Sequence, residues 1–333
     1  MSQVNSTNKA LVLEQEDKKT IAEVRQLAAS DLPEGDVLVN IDYSSLNYKD
    51  ALAVTGAGKI VHQFPMVPGI DLAGTVAESA SPDYKVGDAV VLTGWSVGER
   101  FWGGYAQQMR VQSKWLVPLD KGLSSKQAMT IGTAGLTSML CVMRLQESGL
   151  KPKQGPVLVT GATGGVGSLV VALLAKNGFE VVAVSGKADS VDYLKQLGAS
   201  EVLPRSEFEE KVRPLDKSRW AGAVDTVGGD ILAKVLSQMN YDGRVATVGL
   251  AASFSLNTTV MPFILRGVDL LGVDSVMIPY ERRVQAWARL ARELPQEIMD
   301  QVSEEVGLEA LPAYAQNMVE GKIKGRVLVN PNI

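Results

Sequence analysis

The chain has 333 residues, 46% hydrophobic and 21% charged, with a net charge of −4. That length allows two domains and a large core, the acidic balance speaks against a nucleic-acid surface, and no unbroken apolar stretch is long enough to span a bilayer. One cysteine (Cys141) and one histidine (His62) exclude an intrachain disulfide and any metal site built from several such ligands. The polar start Met1–Lys9 shows no apolar signal core, so a cytoplasmic location is expected.

The first third is rich in strands and breakers. Strands are predicted at Ala10–Leu13, Ile21–Leu27 and Asp36–Tyr43, a short helix at Asn47–Val54 capped by Asn47, and further strands after Pro68-Gly69, at Ala89–Leu92, and from Gly103 through Val111 and Leu116–Leu119. From Ser124 helix and strand alternate. Helices are expected at Ser125–Ile131 and Leu136–Ser148. Strands are expected at Val157–Thr160, Glu180–Ser185, Glu201–Leu203, Gly222–Thr226, Arg244–Val248 and Val268–Val273. This alternation predicts an α/β fold with a parallel, doubly wound sheet. Helices at Tyr280–Leu294 and Leu308–Glu320 and a strand at Gly325–Val329 return the chain to the β-rich first part.

Val157–Lys187 carries the most information. A β-branched strand runs into Gly161-Ala162-Thr163-Gly164-Gly165-Val166-Gly167, and a helix closed by Gly178 comes next. A glycine-rich turn at a helix N-terminus offers free N–H groups and the positive end of a dipole, which suits a pyrophosphate. Ala162 replaces the first glycine of the G-x-G-x-x-G pattern; Gly164 and Gly167 hold the other two places. The next strand ends in Ser185-Gly186-Lys187, where an NAD-selective site places a carboxylate. A hydroxyl and an ammonium suit a 2′-phosphate, so NADPH is the expected cofactor. Arg205 adds a guanidinium after the third strand.

Ser45–Asp50, Pro68–Gly74, Gly103–Ala106, Gly132–Thr137 and the Gly161 turn occur in an order and at intervals that resemble the medium-chain dehydrogenase/reductases. The chain is similar, more narrowly, to their zinc-free, quinone-oxidoreductase-like branch. Within that branch it looks like the bacterial acrylyl-CoA reductases, through Leu92–Trp95, Ala221–Gly228, Gln238–Tyr241, Thr259–Arg266, Gly272–Val276, Glu281–Arg283 and Trp287. The resemblance runs from about Lys9 to Val329. It implies a GroES-like catalytic domain (1–124 and 277–333) and a Rossmann domain binding NADPH (125–276). It also implies that Thr163, Gly164, Gly165, Val166, Ser185, Gly186, Lys187 and Arg205 touch the cofactor, joined by Tyr48, Leu250, Ile264, Ser275 and Arg326. A homodimer paired through the edge strand Val268–Val273 is implied by the same analogy.

Reduction of an activated C=C bond without a metal needs a positioned nicotinamide, stabilisation of the enolate oxygen and a proton for the α-carbon. Asn47, Tyr48 and Asp50 are the candidate catalytic residues. The Tyr48 phenol is placed to donate; Asp50 is expected to orient Lys49, a ribose hydroxyl or water. A helix cap and first turn account equally for Asn47 and Asp50. Thr133–Thr137 fits either the nicotinamide end or tight packing, and Trp95, Phe101, Trp102 and Tyr105 fit a substrate wall or ordinary core. Arg282 and Arg283 are candidates for the 3′-phospho-ADP end of CoA. Three readings stand at this level: an NADPH-dependent reductase of a short enoyl-CoA such as acrylyl-CoA, an NADPH quinone or enal reductase of the same branch, and a non-catalytic NADPH sensor.

Overall fold

The computed structural model describes residues 8–209, 212–301, 303–323 and 325–333; the polar start through residue 7 lies outside them. They divide into two compact units. The first takes the described residues of Met1–Thr133, Val276–Ala291 and Met299–Ile333; the second takes Ala134–Ser275 and Arg292–Ile298.

The first unit opens with the hairpin β1 (Asn8–Glu16) and β2 (Lys19–Leu27). Asp17 and Lys18 both take positive φ, as a two-residue turn matched to strand twist requires. Then come β3 (Val37–Leu46), α1 (Tyr48–Thr55), β4 (Asp71–Ser79), β5 (Ala89–Thr93), β6 (Gln108–Val111) and β7 (Leu116–Pro118). Helix α2 (Ser125–Glu147) carries the chain on; Gly132, at φ 50 and ψ −159, breaks it where the sequence predicts two helices. By length and composition α2 could cross a bilayer, but 89% of its most apolar window is buried, as in a core helix.

The second unit contains β8 (Val157–Val159), α3 (Gly165–Lys176), β9 (Val181–Ser185), α4 (Val191–Gln196), β10 (Glu201–Pro204), β11 (Trp220–Asp225), α5 (Gly229–Ser237), β12 (Met239–Thr247), α6 (Met261–Arg266) and β13 (Asp269–Gly272). Among the described residues its sheet has the order β10-β9-β8-β11-β12-β13, every pair parallel. This is a doubly wound Rossmann-type sheet. The order reverses between β8 and β11, so a crevice opens beyond their carboxyl ends, where such sheets bind ligands. Strands β8 and β9 are buried throughout, as parallel strands covered on both faces must be.

The tail adds α7 (Tyr280–Glu293), α8 (Gln296–Gln301), β14 (Ser303–Val306), α9 (Leu311–Val319) and β15 (Arg326–Val329). The second sheet runs β14-β15-β3-β4-β5-β7, with β6 also on β3. Strand β14, whose SEEV sequence lacks apolar alternation, is an addition to the expected elements; it pairs parallel with β15. Gly103–Ala106 begins no strand, because the N–H groups of Gly103, Gly104 and Tyr105 are spent on Val67, Gly69 and Pro68 carbonyls. Register does the rest. Leu328 of β15 lies opposite Ser45 of β3, and Asp71 of β4 opposite Thr93 of β5, so strand ends far apart in sequence meet at one rim.

Candidate active site

At that rim the first unit buries a polar cluster. Strand β3 ends at Leu46 and Asn47 stands extended before α1. Asp50 turns back to accept the Asn47 backbone N–H at 3.0 Å, the acidic half of a capping box, and takes the Ile70 N–H at 2.9 Å. Asp71 accepts the Ser45 N–H (3.0 Å), the Ser45 hydroxyl (2.7 Å), Asn47 Nδ2 (3.0 Å) and the Thr133 N–H (2.9 Å). Arg326 donates to Ser45 Oγ at 2.6 Å, Asn47 Oδ1 at 3.1 Å and the Thr130 carbonyl at 2.8 Å. The Tyr105 hydroxyl donates to the Ser45 carbonyl at 3.1 Å. All these side chains are buried.

Gly132 makes this closure possible. A Cβ there would sit 2.5 Å from an Arg326 nitrogen and 2.8 Å from an Asp71 oxygen, and its positive φ already disfavours other residues. The break in α2 thus lets Thr133 aim its N–H at Asp71.

Two buried carboxyl groups lie in the field of one guanidinium, that of Arg326, so one proton is easily retained. Burial first, and the Asp71 charge second, push Asp50 up to about 7. Burial and then the two carboxyls raise Tyr105 well above the usual phenol range, while burial pulls Arg326 down from its usual value against those same charges. The cluster therefore holds an acid able to exchange a proton near neutral pH.

Tyr48, the first residue of α1, is 43% exposed and presents its phenol at the surface of the unit. Asn47 and Asp50 lie in the cluster; Tyr48 stands outside it. Two expectations are corrected. Asp50 does not orient Lys49, which pairs with Glu99 at 2.9 Å. Arg283 is no surface cation for CoA: it is wholly buried, spending its guanidinium on Thr93 and Val276. Arg282 contacts Gln285 at 3.1 Å. Arg326, expected to approach the cofactor, has its side chain turned into the cluster. Ser45 and Asp71 join the site without having been expected in it, and Tyr105, weighed as substrate wall or core, is buried with its hydroxyl in the cluster. The legible signal is Asp71, a lone acid inside the apolar run Ile70–Ala73, which reads as a buried charge in need of partners.

In the second unit the Gly161 turn lies at the switch point. Gly164 caps α3, and the first N–H groups of the helix have no partner within it. Gly167 lets helix and strand touch: a Cβ would lie 2.3 Å from the Gly161 carbonyl oxygen. At the end of β9, Ser185, Gly186, Lys187, Arg205 and Ser206 line a cavity of about 390 Å³ that Glu209 also borders. Glu209 holds Arg205 at 2.7 Å. A Cβ on Gly186 would meet that guanidinium at 3.2 Å, so the glycine lets it lie against the turn. Thr163 and Val166 belong to the same turn; the Val166 carbonyl accepts the Ser138 hydroxyl at 2.9 Å. Leu250, after β12, and Ile264, in α6, are 65% and 71% exposed. With Ser275 they lie past β12 and β13, across the switch point from the Lys187 cavity.

Residues 33–121 match the alcohol dehydrogenase GroES-like domain and residues 165–292 the zinc-binding dehydrogenase family. The chain is 58% identical to the probable acrylyl-CoA reductase AcuI of Escherichia coli K12, over 97% of this chain and 99% of that one. The chain belongs to the medium-chain dehydrogenase/reductase family. This family member is also 52% identical to the acrylyl-CoA reductase AcuI of Ruegeria pomeroyi, over 97% and 99% of the two chains. The crystal structure of E. coli K-12 YhdH with bound NADPH superposes with a TM-score of 0.95 at 58% identity, over 97% and 100%. A GroES-like domain joined to a Rossmann-type sheet is thus the fold on both grounds. The second family label names zinc; in this member Cys141 is buried within α2 and His62 is exposed in a loop.

Proposed function

We propose that this chain is an NADPH-dependent reductase of short enoyl-CoA thioesters, converting acrylyl-CoA to propionyl-CoA. The observation that carries the substrate choice is the 58% identity across 99% of the E. coli AcuI chain. The pocket chemistry supports the cofactor. Thr163, Gly164, Gly165 and Val166 would hold the pyrophosphate at the start of α3. Ser185, Gly186, Lys187 and Arg205 would hold the 2′-phosphate, and Tyr48, Leu250, Ile264 and Ser275 would complete the site. When bound, NADPH supplies a hydride for the β-carbon.

The protein's part is to bind and orient, and the α-carbon takes its proton from water. Tyr48 donates a hydrogen bond to the thioester oxygen, stabilising the enolate. Asn47 and Asp50 fix the turn that carries Tyr48. Asp50, with its proton held near neutral pH, buffers the cluster. Arg326 acts from inside as the counter-charge. The catalytic domain takes 1–124 and 277–333 and the nucleotide domain 125–276. A cytoplasmic homodimer, paired through β13 at the sheet edge, completes the proposal; sedimentation at twice the chain mass would support the pairing.

NADPH oxidation by the purified protein, with acrylyl-CoA, free acrylate and a simple quinone at matched concentrations, tests the reading. Turnover should favour acrylyl-CoA strongly. Quinone turnover with no advantage from CoA would make it a quinone or enal reductase, and silence with NADPH still bound would leave a sensor.

A further inference from the structure

Strand β5 ends in a left-handed run: Gly94 at φ 78, Trp95 at φ 58 and Ser96 at φ 58. Glycine adopts this freely, but a bulky side chain there is an outlier that the surroundings must hold in place. Arg283 of α7 supplies the hold. Its Nη1 donates to the Thr93 carbonyl at 2.6 Å and hydroxyl at 3.0 Å, its Nη2 to the Val276 carbonyl at 3.1 Å. Its guanidinium carbon lies 4.9 Å from the centre of the Trp95 ring. Val276 also accepts the Trp95 N–H at 3.0 Å. One arginine thus grips the residue before the run, the ring within it and the segment that receives its amide.

The run sets the path of residues 97–101. The Ser96 carbonyl accepts the N–H groups of Glu99 (3.2 Å), Arg100 (2.9 Å) and Phe101 (3.3 Å), so the tilt of one peptide fixes the loop. Glu99 in turn takes the His62 N–H on its carbonyl at 3.0 Å and the Lys49 ammonium on its carboxylate at 2.9 Å. Lys49 is the residue after Tyr48 in the first turn of α1. That ion pair is partly buried, and partial burial gives it more weight than a surface pair has.

Resting on the reductase reading above, we infer that Arg283 is a positioning residue for that reaction: it holds the left-handed run, which presents Glu99 to Lys49 and so fixes the helix turn bearing Tyr48. The fork matters as well as the charge, because two nitrogens address two carbonyls while the plane faces an indole.

The test compares Arg283→Met, Arg283→Lys and Glu99→Gln in the full chain. Hydrogen exchange by mass spectrometry comes first. Arg283→Met should lose protection at the amides of Glu99–Phe101 and in the first turn of α1, with the β3–β4 pair unchanged. Arg283→Lys should lose part of it, and serves if the methionine variant does not fold. Steady-state kinetics come second. Arg283→Met and Glu99→Gln should each lower kcat for acrylyl-CoA, by up to about 10²-fold for the former, and raise the KM for NADPH far less, since Tyr48 is one of many cofactor contacts. Their effects should not multiply in the double variant, since both act through one contact. Unchanged exchange in residues 94–101, or effects that multiply, would overturn the inference. A wild type inactive on acrylyl-CoA would instead sink the reductase reading, and exchange would still decide whether Arg283 holds the loop.

Discussion

The nucleotide turn and the buried polar cluster solve the problem of holding charge in opposite ways. The turn from Gly161 to Gly167 uses backbone: N–H groups at the start of α3, a helix dipole and glycines that keep the surface bare. Its cationic complement, Lys187 and Arg205, is at the rim of an open cavity. The cluster of Ser45, Asn47, Asp50, Asp71, Tyr105 and Arg326 uses mainly side chains, all out of water. Backbone donors are fixed by local geometry and cost nothing further to aim; buried side-chain charges hold only while every partner is present. The first region should therefore tolerate surface change with effects on binding alone, while the second should lose stability and activity together.

Arg326→Met breaks the contrast most sharply. It leaves two buried carboxyls without their counter-charge and should cost about 3–5 kcal/mol of stability, read by urea unfolding, and abolish reductase activity. NADPH binding by surviving folded protein should change far less. Asp50 gives the next effect. Its folded-state value, raised from 3.8 to about 7, means that between those two pH values the folded form keeps a proton the unfolded form has lost. Its contribution is therefore whole below about pH 4 and falls as pH rises to about 7, at about 1.36 kcal/mol for each unit of separation. Unfolding measured across pH 4–8 should show wild type losing stability relative to Asp50→Asn through that window, and a flat difference would refute the shift.

Lys187→Glu addresses the other region. It should raise the KM for NADPH by about 10–10²-fold, the range of one or two charge-assisted bonds at about 1.5–3 kcal/mol, lower the KM for NADH if it moves it at all, and leave the melting temperature unchanged. The smallest effect is expected from Glu209→Gln. Freed from its partner at 2.7 Å, Arg205 should tighten NADPH binding by a few-fold, within the roughly 0–1 kcal/mol of an exposed pair; calorimetric titration would measure it.

The same contrast explains how much of the molecule is legible in its sequence. The nucleotide turn is contiguous, so its strand, glycines and helix start, and the missing acid after β9, can be read in order. The parallel sheet is legible from alternation. The cluster is assembled by strand register: Arg326 meets Ser45 across 281 positions, and nothing local marks that pairing. Asn47 and Asp50 are visible as a cap; Asp71 shows only as a lone acid in an apolar run and Tyr105 only as one aromatic among several, and nothing local joins them to that cap. Arg283 reads as a surface cation because adjacent arginines near a helix N-terminus give no sign that one is buried. Strand β14 escapes a reading by pattern because SEEV carries no apolar period, its place depending on a neighbour rather than on propensity.

The most direct measurement tracks deuterium from NADPH carrying deuterium at both nicotinamide C4 positions during reduction of acrylyl-CoA in ordinary water, with the product examined by mass spectrometry and NMR. The propionyl-CoA should carry one deuterium on the β-carbon and, with unlabelled NADPH in heavy water, one on the α-carbon. Deuterium from the cofactor at any other carbon, or a labelled cofactor consumed with no label in the acyl group, would contradict it.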